Sequence, residues 1–246
     1  MNDRSFGGRP AWMLALVLGV AGTVLPAAPA AAQQVVSSEL VQAALQGFGD
    51  RQNSHSWGIS WWRNKLYIGT GRATHCVQQA TLEFYLPDSG NYPPLEEDLA
   101  CTPDAHDLPL QAEIWRWTPE TDTWEMLYRS PNDVPIQGTV PQKYTSRDIG
   151  FRAMQIFREA DGTEALYVSG VSSRGGQLGT GFNGPVPPPR ILRSVDGETF
   201  QPIPQDPGTF MGDLMLAGFR SLVSYKGKLY VLASVGLAAA GRRLAG

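Results

Sequence analysis

The chain has 246 residues with 20 basic and 23 acidic side chains, a net charge of −3, and 42% apolar residues. That apolar content excludes wholesale disorder, and the mildly acidic balance without a clustered basic face argues against nucleic acid as a partner. Beyond the N-terminal region no apolar run reaches the roughly 20 residues a spanning helix needs, so no transmembrane segment is expected once that region is removed.

Residues 1–32 read as a secretory signal peptide. Arg4 and Arg9 precede an apolar run from Ala11 to Leu25, and Ala30-Ala31-Ala32 supplies small residues before Gln33. The competing reading is a retained membrane anchor, but the run of about 15 residues is short for one. The expected location is secreted or periplasmic. Residues 33–54 form a lead-in segment whose Val35, Val36, Leu40, Val41, Ala44, Leu45 and Phe48 are spaced for a short helix.

A strand motif then recurs: Lys65-Leu66-Tyr67-Ile68-Gly69, Ala165-Leu166-Tyr167-Val168-Ser169 and Lys228-Leu229-Tyr230-Val231-Leu232. Each follows an apolar strand and a turn, at Arg63-Asn64, Asp161-Gly162 and Lys226-Gly227. The repeated hairpins delimit units near 55–130, 150–204 and 218–234 within the span 55–234. A Pro-rich insertion at 72–110 is read as a loop, and 235–246 as an irregular tail. The expected fold class is all-β, made of stacked four-stranded antiparallel sheets.

Cys76 and Cys101 fall in that insertion, and export would allow them to form a disulfide. A zinc site using His75, Cys76, Cys101 and His106 is the alternative, although the spacing matches no compact metal pattern. The acidic stretch Glu96-Glu97-Asp98 with Asp104 and Asp107 offers oxygen ligands to calcium, but without EF-hand spacing a solvated loop is the simpler reading. No cofactor motif is present.

Two stretches carry a resemblance. Leu66 to Gly71 followed by Ile114 to Trp124 is similar to a divergent kelch repeat, with Gly69-Thr70-Gly71 where kelch repeats have adjacent glycines. Ser194-Val195-Asp196-Gly197-Glu198-Thr199-Phe200 resembles a shortened Asp box of sialidase-like propellers, in which Asp and Ser brace the turn and the aromatic packs inward. Both resemblances imply a β-propeller, of which about two and a half blades would be present, as in an apparently truncated chain. The sialidase set of three arginines, a Tyr–Glu pair and an acid is not found residue by residue.

Phe151-Arg152 and Phe219-Arg220 occupy matching places at the starts of successive units. Repeated arginines there suit an anion such as a carboxylate or sulfate, or else bond backbone groups of the next sheet. Trp57 stands near the corresponding place in the first unit. Arg147 and Asp148 enter the second unit as contact residues or as a surface pair. The aromatic set Trp61, Trp62, Trp115, Trp117 and Trp124 reads as core or as a sugar-stacking surface. His55 is a base without a matched nucleophile.

The expected function is an exported propeller that binds or scaffolds an unknown protein or carbohydrate ligand, rather than an enzyme. A glycoside hydrolase or lyase on the same scaffold is the rival, with Asp148 and Asp213 as candidate carboxylates. A non-functional truncated product is the third reading.

Overall fold

Tight turns organise the chain. Arg63 and Asn64 have φ of 50° and 58°, and Lys226 and Gly227 have 47° and 68°. Positive φ at both positions is what a two-residue hairpin with right-handed strand twist requires. These turns join β1 (Asn53–Trp62) to β2 (Lys65–Arg72), and β11 (Gly218–Tyr225) to β12 (Lys228–Ser234). A third hairpin joins β7 (Asp148–Arg158) to β8 (Glu164–Ser172) through Gly162 at φ 89°. The computed structural model describes residues 42–86, 90, 92–96, 99–173, 187–209, 211–212 and 218–234. Residues 1–32, expected to be a signal peptide, most of the glycine-rich loop after Ser173, Asp213 and the tail 235–246 lie outside them.

The remaining strands are β3 (Glu113–Thr118), β4 (Thr123–Arg129), β9 (Ile191–Ser194) and β10 (Gln201–Pro202), with a separate ribbon of β5 (Val134–Ile136) and β6 (Lys143–Thr145). The expected propeller of separate, stacked four-stranded sheets is not what forms, and neither the kelch-like nor the Asp-box resemblance extends to architecture. Among the described residues, ten strands belong to one curled antiparallel sheet, with the path β10-β9-β8-β7-β2-β3-β4, β1 on β2, and β11 joining β8 to β12. The joints explain the continuity. β2 meets β7 where Gly71 pairs with Gly150, and β8 meets β11 where Val171 pairs with Gly218. Glycine lets backbones approach to hydrogen-bonding distance, whereas stacked sheets stand about 10 Å apart across side chains. The propeller-based functions, binding module and hydrolase alike, lose their scaffold with this result.

Both faces of β8 are buried, so its sequence lacks polar alternation. Leu166 and Val168 enter a cluster with Trp62, Tyr67, Ile114, Phe151 and Leu192. Ala165 and Tyr167, on the other face, pack with Ile191, Phe219 and Leu222. The turn after β9 is braced as its residues suggest: Asp196 Oδ1 accepts from the backbone N–H groups of Glu198 and Thr199 at 2.9 and 2.8 Å, and Phe200 is buried.

The insertion 72–110 is not only a loop. It contains α1 (Thr74–Tyr85). Ala73, Cys76, Val77 and Ala80 are buried at helical spacing, and the first three share a cluster with Leu108, Leu110, Ile149 and Val171. The Cys76–Cys101 disulfide is formed, with Cα atoms 5.5 Å apart, which removes the zinc reading. The described part of the lead-in is not an α-helix but a 3-10 turn, Gln46–Gly49, in which Gly47 and Phe48 are left-handed. Among the described residues no helix is long and apolar enough to cross a membrane.

Candidate functional site

The three hairpins share a backbone irregularity. Pairing between β1 and β2 shifts between Ser56 and Gly58, between β7 and β8 at Phe151 to Ala153, and between β11 and β12 at Phe219 to Ser221. The residue within each shift is Trp57, Arg152 and Arg220. An extra residue in one strand turns its side chain away from the regular pleat, which is how bulges aim groups at sites. β7 packs against both β1 and β11, so Arg152 meets Trp57 across the first packing, and Arg220 on β11 is near enough to act on Arg152 through its charge.

Trp57 is the base of the site. A methyl group at Gly71 would lie 2.8 Å from its ring, and one at Gly150 would overlap the ring outright. The glycines that join β2 to β7 therefore also provide the slot that seats the indole. Arg152 lies over that indole, its Cζ 4.6 Å from the ring centroid, a cation–π contact that fixes the guanidinium plane. Burial, followed by the positive charge of Arg220, holds the Arg152 guanidinium down to about 10. Arg220 is exposed on β11.

Other buried arginines have acidic partners. Arg72 donates to Asp50 at 2.7 Å and lies near Glu113. Arg116 pairs with Glu125 and Glu198. Arg190 pairs with Asp148 and donates to Tyr128 at 2.8 Å. Among the described residues, Arg152 has no carboxylate partner. Buried cations are normally paired, so the half-buried Arg152, without an acidic partner among the described residues, stands apart from Arg72, Arg116 and Arg190.

The other sequence candidates separate from this site. Arg147 makes a two-pronged contact with Asp133 at 3.1 and 2.9 Å. Asp148 is fully buried, held by Ser130 Oγ at 2.9 Å and by Arg190, so Arg147 and Asp148 take separate partners and are not a surface pair. Asp213 lies outside the described residues. Asp104 and Asp107 are taken up by Lys143, both at 2.7 Å, and among the described residues no group of three or more His, Cys, Asp or Glu is placed to hold a metal.

The aromatic set divides. Trp62 is core, donating to Glu164 at 2.8 Å. Trp117 and Trp124 stack at 6.2 Å, and Trp115 carries Phe48 flat on its face at 4.7 Å. Behind Trp115 stands Glu113, 1% exposed, which accepts from Asn53, Trp115 and Arg129 at 2.8, 2.8 and 2.6 Å. The role of Trp57 as a platform was hard to foresee from the sequence. Its one signal was its position, matching those of the two arginines in their hairpins.

No protein-family model matches the chain, and no curated protein matches it in sequence.

Proposed function

We propose that this chain is an exported domain that binds an oxyanion, a carboxylate or sulfate, between Arg152 and Arg220 on the Trp57 platform. The observation that carries the reading is the semi-buried Arg152 guanidinium, without an acidic partner among the described residues, beside a second guanidinium. An anion seated there would supply the missing charge, and guanidinium–oxyanion hydrogen bonds are among the stronger ones proteins make. The rigid seat supports it further: bulges, glycine slot and indole hold the group before a ligand arrives, which lowers the ordering cost of binding. Export rests on the signal-like character of residues 1–32.

The test is thermal unfolding of the full chain against increasing sulfate or galacturonate at constant ionic strength, beside Arg152→Gln and Arg220→Gln. A ligand that binds only the folded state raises the melting temperature with concentration. Sulfate also stabilises proteins generally, so the expected result is an increment in the parent that exceeds that in both variants. Equal increments in all three proteins would overturn the reading.

A further inference from the structure

The hairpins β1–β2, β7–β8 and β11–β12 carry the same Leu-Tyr-Ile or Leu-Tyr-Val run, and its side chains alternate between two neighbours. In β8, Leu166 and Val168 pack against the first hairpin, with Trp62 and Tyr67. Ala165 and Tyr167, one residue out of phase, pack against Phe219 and Leu222 of the third. In β2, Tyr67 packs on the second hairpin, with Phe151, Leu166 and Val168. In β12, Leu229 packs back on the second hairpin. The tyrosine of each run therefore belongs to the face that meets the following hairpin, and the Leu to the face that meets the preceding one. Exposure marks where the series stops: Tyr67 is 1% exposed and Tyr167 9%, but Tyr230 is 47% exposed.

The first and last hairpins are thus each left with an apolar face that no other hairpin covers among the described residues. On the last, register sets Val223 opposite Tyr230 and Ser221 opposite Leu232 on one side of the sheet. Val223, Tyr230 and Leu232 are all exposed there. On the first, Ile59 pairs with Ile68 and Trp61 with Leu66, and the second row continues through Trp117 on β3 to Trp124 on β4. Phe48 lies against Trp124 at the far end of that row, and Ile59 and Trp61 are exposed. The solvated face of an antiparallel sheet ordinarily carries polar side chains, and contiguous exposed apolar surface marks contact with another protein surface.

We infer that copies of this chain associate head to tail, the Tyr230 face of one copy packing on the Ile59 and Trp61 face of the next. A second copy is the partner these faces select, because the contact they need is one the chain makes twice within itself, tyrosine face against leucine face. The two faces are different surfaces, so the contact is heterologous and each copy keeps one face of each kind for a further neighbour. It rests on apolar burial, independently of the arginines and their anion.

Sedimentation equilibrium of the full chain from about 1 to about 100 μM tests this, because contacts of micromolar strength assemble by mass action across that range. The weight-average mass should rise with concentration to about twice that of one chain or more. Two blocked variants then separate unlike faces from like ones. Trp61→Glu keeps only the Tyr230 face and Tyr230→Glu only the Trp61 face, since a carboxylate left unpaired in the contact opposes burial. Each variant alone should sediment as a monomer, and their equimolar mixture should form a one-to-one dimer and nothing larger. Should either fail a circular-dichroism check of folding, Ile59→Glu or Val223→Glu takes its place. A parent chain that stays monomeric throughout, its faces covered from within, overturns the inference. So does a single variant that still self-associates, which would pair like faces, or a mixture that remains monomeric.

Discussion

Replacing Arg152 with Met should stabilise the unliganded protein while abolishing its response to anions. Burial and Arg220 together hold the guanidinium down to about 10, below its ordinary value. For a base, a lowered folded value means the charged form is disfavoured by folding. The cost is full below about 10 and is relieved as pH rises from there toward the unfolded value. At about 1.4 kcal/mol per decade the cost is about 3 kcal/mol, and solvent screening of a partly exposed group brings it to about 2 kcal/mol. Methionine keeps apolar packing on Trp57 but loses the cation–π attraction, about 0.5–1 kcal/mol. The net gain is about 1 kcal/mol, or about 2–4 °C in melting temperature for a domain of this size. Differential scanning calorimetry at pH 7 in a weakly coordinating buffer reads it directly. A melting temperature that falls in Arg152→Met would refute the reasoning, because it would show the guanidinium to be paired and structural in the folded protein.

The fold makes further demands. Gly150→Ala places a methyl group into the Trp57 ring, so chemical denaturation should show a loss of about 1–3 kcal/mol, and the anion response should weaken with it. Glu113→Gln removes the charge that Arg129 and Arg72 share in a buried setting; a loss of about 3 kcal/mol is expected as a lower urea midpoint at unchanged slope. Reducing Cys76–Cys101, 25 residues apart in sequence, should cost about 3 kcal/mol and expose the face of α1 to proteolysis. Acid should weaken the fold between pH 4 and 2. Lys143 holds Asp104 down to about 2, and the backbone N–H groups of Thr199 and Glu198 hold Asp196 lower than the usual carboxylate range. Their stabilisation is full above the unfolded value near 4 and is lost as pH falls, so Asp196→Asn should flatten the acid limb of a melting-temperature profile.

How far the residues disclose the fold depends on whether the signal is local. The turns at Arg63-Asn64 and Lys226-Gly227 were legible because positive φ selects residues in place. The disulfide was legible because it followed from compartment and cysteine number. The helix α1 was present as a pattern at Ala73, Cys76, Val77 and Ala80, but with Ala73 in a left-handed conformation and no capping side chain it lacked an N-terminal marker. The sheet was misread because its continuity rests on Gly71 meeting Gly150 and Val171 meeting Gly218. Those pairs are far apart along the chain, and a repeated hairpin motif looks the same in separate sheets as in one. For the site, the matched positions of Arg152 and Arg220 were visible, whereas the bulges at both positions depend on register with partner strands. Asp148 was misassigned for a similar reason, since its partner Arg190 is contributed by a distant segment.

The central claim is that Arg152 and Arg220 act together on one anion. Nitrogen-15 NMR of the guanidinium Nε groups, assigned with the two Gln variants and followed through a galacturonate titration, tests it most directly. Both resonances should move together and saturate along one binding curve. Resonances that stay fixed, or only one that moves, would contradict the shared site.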